Sequence, residues 1–123
     1  MDLGLGGRGF LLTGASRGLG LATARALVDD GARVLISSRS PGSVDAAVSS
    51  LGGAPTAFGV TADLADADAA ERLVTEAGDR LGQVDGVLIS VMGTHRARAC
   101  THLDVDQSGI DEAVAAIRRA MPS

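Results

Sequence analysis

One turn constrains this chain more than any other stretch: Thr13-Gly14-Ala15-Ser16-Arg17-Gly18-Leu19-Gly20. The apolar run Phe10-Leu11-Leu12 leads into it, and an Ala- and Leu-rich stretch from Leu21 to Val28 leads out. That order describes a strand, a tight glycine loop and a helix. The first N–H groups of a helix have no partner inside it and point outward with partial positive charge. A phosphate is the natural anion for such a place. Gly14 takes positive φ as the chain leaves the strand. Gly18 lets the backbone approach a diphosphate, and Gly20 lets the helix lie close on the strand. Ser16 adds a hydroxyl donor and Arg17 a positive charge beside the same space, with Leu19 between the last two glycines. A plain strand-to-helix connection without a ligand is the competing reading.

Further along, strands and helices alternate. Gly9 to Thr13 reads as the first strand, and a helix from about Gly18 to Asp30 ends at Gly31. A second strand spans Arg33 to Ser37, with Val34-Leu35-Ile36 as an unbroken apolar run. Runs without alternation suit strands buried on both faces of a parallel sheet. After the break at Pro41-Gly42, Ser43 caps a short helix with Val44, Ala47, Val48 and Leu51 at i, i+3, i+4 and i+7. A third strand covers Thr56 to Thr61. Asp68 and Glu71 have capping-box spacing before a helix with Leu73, Val74, Ala77 and Leu81 on one face. A fourth strand runs from Val84 to Val91. Residues 94–107 read as a polar loop and 108–121 as a C-terminal helix with the stripe Ile110, Val114, Ile117 and Met121. The expected fold is an α/β three-layer α/β/α sandwich around a four-stranded parallel sheet of order 3-2-1-4. The first two crossover helices lie on one face and the third on the other.

Length and composition narrow the class. The 123 residues allow one domain. A net charge of −4 and the absence of a basic stripe argue against nucleic acid as a partner. No apolar window reaches the roughly 18 residues of a membrane span, and no export signal opens the chain. A single cysteine, Cys100, fits a reducing compartment, so a cytoplasmic protein is expected. The fourth strand would form an open edge, which invites association as a homodimer or higher oligomer.

The loop TGASRGLG resembles the TGxxxGxG loop of the short-chain dehydrogenases/reductases, and matching features follow in order from about Gly9 to Gly93. The resemblance implies a single, partial Rossmann-like NADP-binding domain over residues 1–123. The tip of the second strand bears on the cofactor. NAD-binding folds usually place an acid there for the ribose 2′-hydroxyl. Here the residues are Ser37-Ser38-Arg39-Ser40. Arg39 can bond a 2′-phosphate in bidentate fashion, with Ser38 as a second donor and Arg17 nearby. These residues resemble those of NADP-preferring members, and two solvated surface arginines are the alternative. Asp63-Leu64 matches the family's Asp-Leu, whose acid accepts a bond from the adenine amino group; a turn residue is the plain reading. Where the family shows Asn-Asn-Ala-Gly, this chain has Ser90-Val91-Met92-Gly93, keeping Gly93 and a hydroxyl at Ser90.

Past Gly93 the resemblance fades. The family's later part supplies a serine and a Tyr-x-x-x-Lys, in which the tyrosine exchanges a proton and the lysine lowers its pKa and holds the ribose. A positioned general acid typically accelerates such a step roughly 10²–10⁴-fold. This chain has no tyrosine and no lysine, since all eleven basic residues are arginine. The expectation is therefore an NADP(H)-binding half of an oxidoreductase, truncated before its catalytic residues and with little or no activity alone. A non-catalytic nucleotide-sensing or dimerisation module is the alternative. Least favoured is an enzyme using His95 or His102 as its acid. His95, Cys100 and His102, with Asp104 or Asp106, match no common structural metal site. His102, Asp104 and Ser108 name the residue types of a triad, without its geometry.

Overall fold

The computed structural model describes residues 6–16, 18–63, 66, 68–90 and 97–101; of Leu19, residues 89–90 and residues 97–101 it describes the main chain alone. The elements are β1 (Gly9–Thr13), α1 (Gly18–Asp29), β2 (Arg33–Ser38), α2 (Pro41–Ser50), β3 (Ala57–Thr61), α3 (Ala69–Leu81), β4 (Gly86–Ser90) and β5 (Ala97–Thr101). They form one sheet in the order β3-β2-β1-β4-β5. The first four strands are parallel, in the expected order 3-2-1-4.

The unbroken apolar runs explain this sheet. Side chains alternate between its faces, and both faces are covered. Leu11 pairs with Leu35 and Val87, and all three pack against Leu73, Val74, Ala77 and Leu81 of α3. One residue on, Leu12 pairs with Ile36, and both turn the other way, into a core with Ala24 of α1 and Ala47 of α2. The first two helices therefore share one face and α3 takes the other, as right-handed crossovers require. Leu11, Leu12, Leu35 and Ile36 are fully buried. Each contributes about 1.5–3 kcal/mol relative to an exposed side chain.

The helix ends follow local chemistry. At the end of α1 the Gly31 N–H donates to the Val28 carbonyl and the Ala32 N–H to the Leu27 carbonyl, a Schellman closure. Arg33 closes α3: its Nη1 and Nη2 donate to the Leu81 and Arg80 carbonyls, each at 3.0 Å, while Nε donates to the Pro55 carbonyl at 2.9 Å. Its guanidinium also lies 5.7 Å from the centre of the Phe58 ring. A cation at a helix C-terminus is favoured by the dipole.

Three expectations change. The cap of α2 is Ser40, whose hydroxyl accepts from the Ser43 N–H at 3.4 Å. Pro41, read as a break, is instead the first helical residue, where a missing N–H costs nothing. Asp68 stands at the start of α3 without a capping bond. Its φ of −99° and ψ of −2° are helical, whereas a capping side chain needs extended backbone. Finally, among the described residues the sheet has five strands. Part of the expected 94–107 loop is β5, which pairs antiparallel with β4, Leu88 opposite Ala99. The chain itself thus covers the β4 edge on which association was expected. The C-terminal helix expected at 108–121 lies outside the described residues.

Candidate functional site

All four parallel strands point their carboxyl ends to one rim of the sheet. That rim carries Thr13-Gly14, Ser37-Ser38, Thr61-Ala62 and Ser90. Ligands of open α/β sheets bind outside this rim, where the strand order reverses. The reversal here falls between β1 and β4, beside the glycine loop.

Gly14 leaves β1 with φ of +66° and Gly18 opens α1 with φ of +63°. Larger residues rarely adopt these angles. The Ala15 N–H donates to the Ser37 carbonyl at 3.2 Å, which ties the loop to the tip of β2. A Cβ at Gly20 would stand 2.8 Å from the Gly14 carbonyl oxygen and 2.9 Å from the Ala15 Cα. The start of α1 therefore lies directly on the loop, closer than a methyl group permits. Gly18 is the opposite case, because a Cβ there would meet nothing within 4 Å. Two glycines in one turn do different work: Gly20 closes the helix onto the loop, and Gly18 keeps the space before the first helical turn open. The first N–H groups of a helix lack partners within it, and a phosphate suits such a place.

Ser16 beside this space is half-buried. At the tip of β2, the Ser38 hydroxyl lies 3.4 Å from the Ser40 N–H, from which it accepts, and 3.5 Å from the Ser40 carbonyl. Arg39 is exposed, and its guanidinium makes no hydrogen bond or ion pair with another described residue. The Ala62 N–H donates to the Ser38 carbonyl at 2.9 Å, so Asp63, the next residue, emerges beside the same tip. Gly14, Ser16, Gly18, Gly20, Ser38, Arg39 and Asp63 are thus gathered along one rim. Leu19 and Ser90 join them by main-chain position, at the start of α1 and the end of β4. Arg17, Leu64 and Gly93 lie outside the described residues, as do His95, His102, Asp104 and Asp106.

The structure adds Thr13, which sequence reasoning placed in the loop without a role. Only 1% of it is exposed, and its hydroxyl has no hydrogen-bond partner among the described residues. A buried polar group left unpaired costs about 1–3 kcal/mol. The sequence signal was a hydroxyl residue closing an apolar strand directly before the glycine turn.

Among the described residues no helix is long and apolar enough to cross a membrane, and no three His, Cys, Asp or Glu side chains cluster as metal ligands. The sequence model of the short chain dehydrogenase family matches residues 9–117. L-xylulose reductase of Mesocricetus auratus is 44% identical over 78 residues, 63% of this chain and 31% of that protein. L-rhamnose 1-dehydrogenase (NAD(P)(+)) of Azotobacter vinelandii is 42% identical over 88 residues, 68% of this chain and 34% of that protein. Among solved structures, a short-chain dehydrogenase/reductase (glucose/ribitol dehydrogenase) from Brucella melitensis superposes with a TM-score of 0.66 at 32% identity, over 71% of this chain and 37% of that one. The chain spans about a third of the length of the proteins it matches. With its fold, its TGASRGLG turn and these matches together, the chain belongs to the short-chain dehydrogenase family, which implies a nicotinamide dinucleotide as cofactor.

Proposed function

We propose that this chain binds NADP(H) and does not by itself reduce a carbonyl. The observation that carries the reading is the open space at Gly18 at the start of α1, on the same rim as Ser38 and Arg39, whose guanidinium pairs with no described residue. In this reading the amides from Gly14 to Gly20 and the Ser16 hydroxyl hold the diphosphate, with Arg17 and Leu19 in the same turn. Arg39 and Ser38 hold the 2′-phosphate, a dianion that a planar guanidinium grips with paired hydrogen bonds. Asp63, with Leu64, accepts from the adenine amino group. In the same reading Ser90 and Gly93 serve the nicotinamide ribose. When bound, the cofactor supplies a hydride. The chain's own residues orient it, but no tyrosine or lysine is present to move the accompanying proton.

Fluorescence titration with NADPH and NADH tests this, on the natural chain and on Arg39→Ala. Saturable NADPH binding, weakened selectively by the substitution, is expected. NADPH oxidation with simple ketones should not exceed the buffer rate. Absence of binding at millimolar NADPH would leave only a structural role. Association is part of the same reading, now through the outer edge of β5, which no other described strand pairs, because such an edge attracts another strand. Sedimentation across a concentration series would reveal the homodimer.

A further inference from the structure

Gly59 belongs to β3 and pairs with Ile36 of β2. It lies on the face covered by α2, and a Cβ there would collide with Val44 Cγ1 and stand 2.8 Å from Val48 Cγ2. Val44 cannot yield easily. It is 2% exposed, and β-branched side chains in helices hold one rotamer. The closer collision is with Val44, at the N-terminal end of α2. The Val44 N–H donates to the Ser40 carbonyl at 3.0 Å, and Ser40 caps the helix one residue after Arg39. A side chain at residue 59 would therefore lift the start of α2 and carry Ser40 and Arg39 with it, away from Ser38, which its pairing with Thr61 holds in the sheet. The glycine loop is anchored by β1 and by the Ala15 N–H bond to the Ser37 carbonyl, inside the sheet, so it is displaced less than Arg39.

We infer that Gly59 is a positioning residue for cofactor preference: its missing side chain seats α2 so that Arg39 and Ser38 meet a 2′-phosphate. This rests on the NADP(H) reading above. Gly59 need not touch the cofactor.

The test measures dissociation constants for NADPH and NADH, with melting temperatures, on the full chain. In Gly59→Ala the NADPH constant should rise at least about fivefold, the loss of part of one charge-assisted contact. The NADH constant should stay within about twofold, because its phosphates sit on the loop anchored in the sheet. Adding Val44→Ala relieves the collision and should restore the ratio. If Gly59→Ala does not fold, Val44→Ile presses on the same contact from the helix side and should shift the ratio the same way. A folded variant with an unchanged ratio, equal weakening of both cofactors, or no restoration in the double variant would overturn the inference. A natural chain that binds NADPH no better than NADH would instead overturn the cofactor reading, and this inference with it.

Discussion

Gly20→Ala tests how the glycine loop is built. The added methyl would stand 2.8 Å from the Gly14 carbonyl oxygen, 2.9 Å from the Ala15 Cα and 3.4 Å from the Ala15 Cβ. Two of those atoms are backbone, and Ala15 is fully buried, so the loop cannot swing aside. Reaching ordinary contact requires α1 and the loop to separate by about 0.5 Å, and forcing a methyl into packed surroundings costs about 1–3 kcal/mol. Alanine returns up to about 1 kcal/mol through its better helix propensity. The net loss should be about 1 kcal/mol, or a melting temperature roughly 3–6 °C lower for a chain of this size. The same separation opens the amide cradle, so NADPH should bind about tenfold more weakly, equivalent to about 1.4 kcal/mol. Thermal melting with and without NADPH reads both quantities, because a ligand of the folded state raises the melting point by mass action. A variant that melts as high as the natural chain and is stabilised equally by NADPH would refute the close-contact reasoning.

Other substitutions probe separate parts of the structure. Arg39→Ala should weaken NADPH about tenfold and NADH within about twofold, measured by fluorescence titration. Thr13→Val replaces an unpartnered buried hydroxyl with a methyl; in the ligand-free chain it should raise the melting temperature by about 3 °C or more. Arg33→Ala removes three bonds to carbonyls and the stack on Phe58. Two of those bonds are exposed and count for little, so a loss of about 1–3 kcal/mol by urea denaturation is expected. Leu11→Ala, in the middle of the sheet, should cost about 2–5 kcal/mol in the same assay.

The parallel sheet was legible because its strands are buried on both faces. Leu11, Leu35 and Val87 fall in uninterrupted apolar runs, and a strand in such a run has no solvent face to alternate with. The glycine loop was legible for a similar reason, since positive φ at Gly14 and Gly18 narrows the choice of residue to nearly one. The helix starts were harder. Pro41 is compatible both with a break and with a first helical residue, and only the position of Ser40 decides between them. Asp68 has the composition of a cap but a helical backbone, which the flanking residues alone do not reveal.

The least legible features depend on neighbours distant in sequence. Ala97 to Thr101 carries no apolar run, and its strand exists through pairing with the open edge of β4. Gly59 reads in sequence as a weak point in a strand, and its meaning appears only when α2 lies across it. Thr13 looked like part of a motif, and its hydroxyl has no partner among the described residues. In each case the deciding contact comes from another element.

The central claim is that the rim formed by Gly14 to Gly20 and by Ser38 to Arg39 seats a phosphorylated dinucleotide. Following backbone amide resonances of the labelled chain during NADPH titration tests it most directly. Saturable shifts should appear at Gly14, Ser16, Gly18, Gly20, Ser38 and Arg39. Gly9 and Asp85, joined at the opposite rim by the Gly9 N–H to Asp85 Oδ2 bond of 2.9 Å, should stay unmoved. Shifts confined to the Gly9 rim, or none at millimolar NADPH, would contradict the account.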